Sequence, residues 1–209
     1  MKKFIALMIA VMLLVPAFAV ADEIGLHGAT NFKMNVSDFI QQFTTLASSM
    51  NYDFEWSNEP NTDAGYNKHI GWSADELCTI IVHEDEDGIM AFEADLFLDL
   101  TNQADQAQKA GEDLGAAMVC AGFALYQGEF GELSMDVINK VTGETTDLMT
   151  PLYSLGGLTE QQLEDGIAHV GTMCGFPAGT EVSSYTEDGI TYMYVGFFLC
   201  PTDWELTVE

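Results

Sequence analysis

The sequence predicts an α+β fold: an antiparallel sheet built from hairpins, packed against two amphipathic helices and one buried apolar helix. Three observations carry that reading. Segments with apolar residues at every third or fourth position are separated from segments in which apolar and polar residues alternate. The tetrapeptide Glu-Asp-Gly-Ile occurs at Glu86–Ile89, Glu164–Ile167 and Glu187–Ile190, and two copies lie between alternating runs. Leu114–Tyr126 carries no charge at all; it is too short to cross a bilayer and suits a helix buried against a sheet. Like elements are grouped, which argues against a parallel α/β arrangement.

The chain opens with Lys2 and Lys3, continues through the apolar stretch Phe4–Ala21, and places Ala19 and Ala21 just before Asp22. That is the layout of a secretory signal peptide. The expected organisation is a leader, residues 1–21, followed by a single α+β domain, residues 22–209. The product is expected to be secreted, periplasmic or held at the cell surface, and not to be an integral membrane protein once the leader is cut.

Residues 22–34 have no strong periodicity. From Asn35 the spacing of Phe39, Phe43, Leu46 and Met50 is helical, with Ile40 and Ala47 widening the stripe and Asn35 or Ser37 as the cap. Tyr52, Phe54 and Trp56 alternate with acids, as in a strand. The turn-rich segment 57–65 reads as a loop. Tyr66, Lys68, Ile70 and Trp72 mark a second strand, and 76–84 a third, rich in β-branched residues. In 89–100, Met90, Phe92, Ala94, Leu96, Leu98 and Leu100 share one face; Glu93, Asp95 and Asp99 share the other.

A helix follows from Asn102, while Ser134–Val141 suits either a helix or a strand. Thr159 and Gln162 form a capping box for a helix carrying Leu163, Ile167, Val170 and Cys174, closed by Pro177 and Gly179. Residues 180–185 and 190–200 make a second hairpin, and Trp204, Leu206 and Val208 an edge strand. Two amphipathic helices each precede a hairpin, the pattern of a degenerate duplication.

Charge bounds the partners. The full chain carries −27, with six basic residues against 33 acidic ones, and loss of Lys2 and Lys3 makes it −29. Nucleic acid and anionic membrane surfaces repel such a chain. A basic protein or peptide, a polysaccharide or a divalent cation remain as partners. Hydrophobic content of 48% rules out acidic disorder.

The acidic loop Glu84, Asp85, Glu86 and Asp87 raises the expectation of an irregular calcium site. It is not an EF-hand: with Gly88 at position 6, position 1 is His83 and position 12 is Ala94. Asp-Gly between alternating runs is hairpin chemistry at Asp87-Gly88 and Asp188-Gly189, and the copy within the predicted helix is coincidental. Four cysteines, none spaced as a metal or redox pair, permit disulfides after export. Pairing helix with helix and strand with strand gives Cys120–Cys174 and Cys78–Cys200. No nucleophile elbow, metalloprotease, phosphate-loop or dinucleotide motif is present.

The functional expectation is therefore an acidic, non-catalytic binding module. Its face would combine carboxylates with aromatic residues such as Tyr52, Trp56, Tyr66 and Trp72. The alternatives are a small extracellular hydrolase using Glu93, Asp95 or a neighbouring histidine, an irregular calcium-binding protein, and a structural envelope component.

Overall fold

The computed structural model of the chain describes residues 24–28, 30–63, 66–150 and 160–208. The expected leader, and Thr159 of the expected capping box, lie outside the described residues. The elements run β1 (Ile24–His27), α1 (Val36–Ser49), β2 (Phe54–Trp56), β3 (Asn61–Asp63), β4 (Tyr66–Ser73), β5 (Cys78–Asp85) and β6 (Gly88–Asp99). Then come α2 (Ala107–Phe130), α3 (Met135–Leu148), α4 (Glu160–Asp165), β7 (Ile167–Met173), β8 (Phe176–Glu187), β9 (Ile190–Leu199) and β10 (Glu205–Val208). The α+β class is as expected: an eight-strand antiparallel sheet with helices on it. Its order is β2-β4-β5-β6-β9-β8-β7, with β3 pairing on β4 alongside β2, while β1 and β10 form a separate two-strand ribbon. No helix among the described residues is long and apolar enough to cross a membrane.

Helix α1 starts where Asn35 accepts a hydrogen bond from the Asp38 backbone N–H, and it ends as Asn51 takes a left-handed φ of 64°. Its buried residues are Val36, Phe39, Phe43 and Ala47. Phe43 meets Phe54 at 5.3 Å and Trp56 at 5.6 Å, both edge-on, and Phe39 meets Phe92 at 5.8 Å. Helix α2 is buried nearly all round along its uncharged run, Leu114–Tyr126, and lies between α1 and α3. Gly122 allows its close approach to the sheet: a β-carbon there would stand 2.8 Å from Met173 Sδ. The ambiguous 134–141 segment is helical, capped by Ser134, because Val141, Thr145 and Leu148 bury one helical stripe.

Each Glu-Asp-Gly-Ile copy ends one element and starts a strand. Gly88, Gly166 and Gly189 have φ of 127°, 80° and 79°, and the strands run on through Ile89, Ile167 and Ile190. At the third copy Asp188, φ 52°, and Gly189 are the two central residues of a tight hairpin. At the middle copy the glycine stops α4, so the repeat there is also a boundary rather than a coincidence inside a helix. This corrects the long helix expected over 163–174: Ile167–Met173 is β7, paired along its whole length with β8. Pro177 and Gly179 lie within β8 instead of closing a helix.

Other differences have specific causes. The predicted loop 57–65 contains β3, in which Asn61 and Asp63 disfavour a strand and pairing with β4 orders the segment. In β6 the register shifts between His83↔Ala91 and Glu84↔Ile89, leaving Met90 as an extra residue. That bulge turns Ile89, fully buried, inward in place of Met90. Segment 22–34 holds β1, which exists because it pairs with β10.

The expected bridges Cys120–Cys174 and Cys78–Cys200 are not formed; all four are free, buried thiols. Matching cysteines by element type failed because Cys174 is on no helix: it sits in the β7–β8 turn at φ 56°. Burial pushes the Cys120, Cys174 and Cys200 thiols up to about 12, and Cys78 well above its ordinary value. Such thiols are inert packing groups.

Two outcomes follow. Phe43→Ala, which removes the ring common to Phe54, Trp56 and α1, is expected to cost about 3–5 kcal/mol in denaturant unfolding. A thiol reagent should label the native protein slowly and take up four equivalents when the chain is unfolded; a disulfide would reduce that count by two.

Candidate functional site

Alternation along the strands divides the sheet into a face under the helices and an outer face. On β6 the outward residues are Glu93, Asp95, Phe97 and Asp99, and on β9 they are Tyr192, Tyr194, Gly196 and Phe198. The register sets Glu93 opposite Phe198, Asp95 opposite Gly196, Phe97 opposite Tyr194 and Asp99 opposite Tyr192. Strand β8 adds Glu181, Ser183 and Tyr185, and β5 adds His83.

Two features stand out on this face. The first is an aromatic platform. Phe97 stacks on Tyr192 at 5.4 Å and Tyr185 stacks on Tyr192 at 5.1 Å, with interplanar angles of 20° and 28°. All three rings are half-buried, neither sealed in the core nor fully in water.

The second is a chain of polar groups along the middle of the face. His83 Nε2 lies 2.8 Å from Glu93 Oε2, and Tyr194 Oη donates to Asp95 Oδ1 at 2.9 Å. Glu93 and Asp95, two apart on one strand, bring their carboxyls together between these partners. Burial would raise Glu93, but the His83 hydrogen bond and charge hold its carboxyl below the usual range. An ionised carboxylate only accepts, so the His83 nitrogen donates. Burial, and then the Glu93 charge, push Asp95 well above the usual carboxylate range, with the Tyr194 hydrogen bond opposing them. Of the pair, Asp95 therefore holds a proton more tightly and Glu93 gives one up more readily. Burial, followed by the Asp95 and Glu93 charges, also drives the Tyr194 hydroxyl well above its ordinary value.

Gly196 is a silent part of this arrangement. A β-carbon there would stand 2.5 Å from Tyr194 Oη, so the bare position lets the Tyr194 ring lie diagonally towards Asp95. At the Glu93 end the face dips into a shallow pocket of about 280 Å³ lined by Tyr66, His83, Met90, Ala91, Glu93, Phe198 and Trp204. The bulge that displaced Met90 from the core supplies part of its wall.

Of the sequence-predicted aromatic residues, Tyr66 and Trp72 are on the outer face of β4. The other two belong elsewhere: Trp56 packs under α1 and donates to Thr44 Oγ1 at 3.2 Å, and Tyr52 precedes β2, with Lys109 6.0 Å from its ring centre. The acidic loop does not converge. Glu84 turns to His69 at 2.8 Å, Asp85 accepts from the Asn31 side chain and the Asp87 backbone, and Glu86 and Asp87 are exposed. Among the described residues no three His, Cys, Asp or Glu side chains are placed to hold a metal ion together. Glu93, Asp95 and a neighbouring histidine, named for the hydrolase alternative, are brought together. Tyr194, Gly196 and the Phe97–Tyr192–Tyr185 stack were missed, since their partners are set by strand register alone.

Comparison with protein families, curated proteins and solved structures finds no match for this chain.

Folding raises the Asp95 pKa, so the native state keeps a proton that the unfolded chain releases. That contribution is intact below the unfolded value and is lost as pH rises through the folded one. Asp95→Asn copies the protonated side chain and still accepts from Tyr194. Its melting temperature should exceed that of the unsubstituted protein by several degrees at pH 9, and the gap should close towards pH 4. A gap that does not change with pH would show that Asp95 is ionised throughout.

Proposed function

We propose that this chain is an exported, non-catalytic binding module whose working surface is the outer face of the sheet, and that its partner is a basic protein or peptide. The observation that supports this is the Phe97–Tyr192–Tyr185 stack. Aromatic rings half-open to water on the side of the sheet away from α1, α2 and α3 contribute nothing to the main core, and they are bordered by Asp99, opposite Tyr192, and by Glu187, whose charge acts on Tyr185. Such a surface offers ring faces and carboxylates to Lys and Arg side chains. The −27 charge of the chain attracts a basic partner from a distance and repels an anionic one.

A hydrolytic reading has one observation in its favour: two neighbouring carboxyls with pKa values pushed apart are what acid–base catalysis requires. Against it, Asp95 is only 7% exposed, capped by Tyr194, and absent from the lining of the pocket. Attacking water and a scissile bond have no access to both carboxyls at once. Binding accounts for the open rings as well; hydrolysis does not.

Calorimetric titration with an oligolysine or oligoarginine peptide tests the proposal. Saturable binding that weakens with salt, and that falls at least about threefold in Tyr192→Ala, is expected. Binding of a neutral oligosaccharide or of calcium with the peptide inert would redirect the reading to those partners. Export is tested separately, by sequencing the mature N-terminus, which should begin at Asp22.

A further inference from the structure

The pocket beside the acid pair has a lining that selects its guest. Its walls are the rings of Tyr66, Phe198 and Trp204, with Met90 and Ala91, and its ionisable lining is Glu93 and His83. Those two groups already bind each other at 2.8 Å. A sugar-like guest would find no ring of donors and acceptors to replace its water. A purely apolar guest would further desolvate an ionised carboxylate. An anion would meet Glu93 directly. A cation gains from the carboxylate by charge and from the aromatic faces by their quadrupoles, with the His83 charge that Glu93 already feels working against it.

The protein contains an internal version of this contact. Lys68 Nζ lies 5.5 Å from the centre of the Tyr66 ring, and its charge helps to hold Glu93 ionised. The volume, about 280 Å³, is at the small end for ligand sites and suits an ammonium group with a few carbons. We propose that this pocket is a binding site for an alkylammonium group, the end of a lysine side chain or its methylated form, held by Glu93 between Tyr66, Phe198 and Trp204. The inference rests on the reading of the outer face as a surface for a basic partner, and supplies that surface with an anchor. Lys68 then acts as an internal competitor that any bound ammonium must displace or tolerate.

The test uses small probes and a peptide in parallel at fixed ionic strength. n-Butylammonium and tetramethylammonium are titrated while the Trp204 indole N–H, which donates to the Thr30 carbonyl at 2.7 Å, is followed by NMR. n-Butanol serves as the neutral control. Saturable shifts with the ammonium probes alone are expected. Glu93→Gln, which keeps an acceptor for His83, should weaken binding tenfold or more, and Lys68→Met should strengthen it. Equal response to butanol, unchanged affinity in Glu93→Gln, or no saturable shift would overturn the proposal. The oligolysine arm separates the two levels of the reading. Peptide binding that is indifferent to Glu93→Gln removes the anchor and leaves the face. Butylammonium binding without peptide binding leaves the pocket and removes the basic-protein partner.

Discussion

The pairing of β6 with β9, from Phe92↔Leu199 to Asp99↔Tyr192, makes one sheet out of two three-strand meanders. On one side is β4-β5-β6 and on the other β7-β8-β9, each meander preceded in the chain by an amphipathic helix, α1 or α3. Tyr66 and Ile167 open corresponding strands, and Gly88 and Gly189 turn corresponding hairpins, at one constant spacing along the chain. At the centre of the seam Asp95 faces Gly196. Inward residues of both central strands, Phe92, Leu96, Val195 and Phe197 among them, fill the core under the helices. Without this seam each meander would end in a strand with one edge unpaired, and the apolar helix would have no continuous surface to cover.

The same seam determines what the outer face can do. Its centre holds an ionisable pair next to a position with no side chain, so the Tyr194 ring can cross from one strand to the other and close over Asp95. One carboxyl is thereby sealed and holds its proton more tightly than usual, while its neighbour, next to His83, gives its proton up more readily. The usable charge emerges at the edge of the pocket, where Glu93 meets aromatic walls, and the stack of Phe97, Tyr192 and Tyr185 flanks the other end. On the proposed reading, recognition is concentrated where carboxylate and ring occur together on this face.

Helix α1 and strands β4, β5, β6 and β9 were legible in the sequence because each buries a face whose period shows in a short window. The strands that escaped are those defined by their partners. β1 depends on β10 at the opposite end of the chain, β3 on β4, and β7 has apolar residues at 167 and 170 that satisfy a helical spacing as readily as a strand. Local pattern could not reveal the Met90 bulge, which exchanges two adjacent apolar residues between core and pocket. At the site, the acids at 93 and 95 could be read from alternation, but their link to Tyr194 needed the register. Of the four nominated aromatic residues, Tyr66 and Trp72 share the outer face of β4, while Trp56 packs under α1 and Tyr52 precedes β2. Cysteine pairing failed once Cys174 proved to lie in a turn.

The central claim is that the face of the sheet away from α1, α2 and α3 is the working surface. Its most direct test is a map of amide chemical-shift changes as an oligolysine peptide is added to the labelled protein. Changes concentrated on β6, β8 and β9, at Glu93, Phe97, Glu181, Tyr192 and Phe198, are the predicted result. Changes confined to the exposed sides of α1 and α3, with β6 and β9 silent, would contradict it.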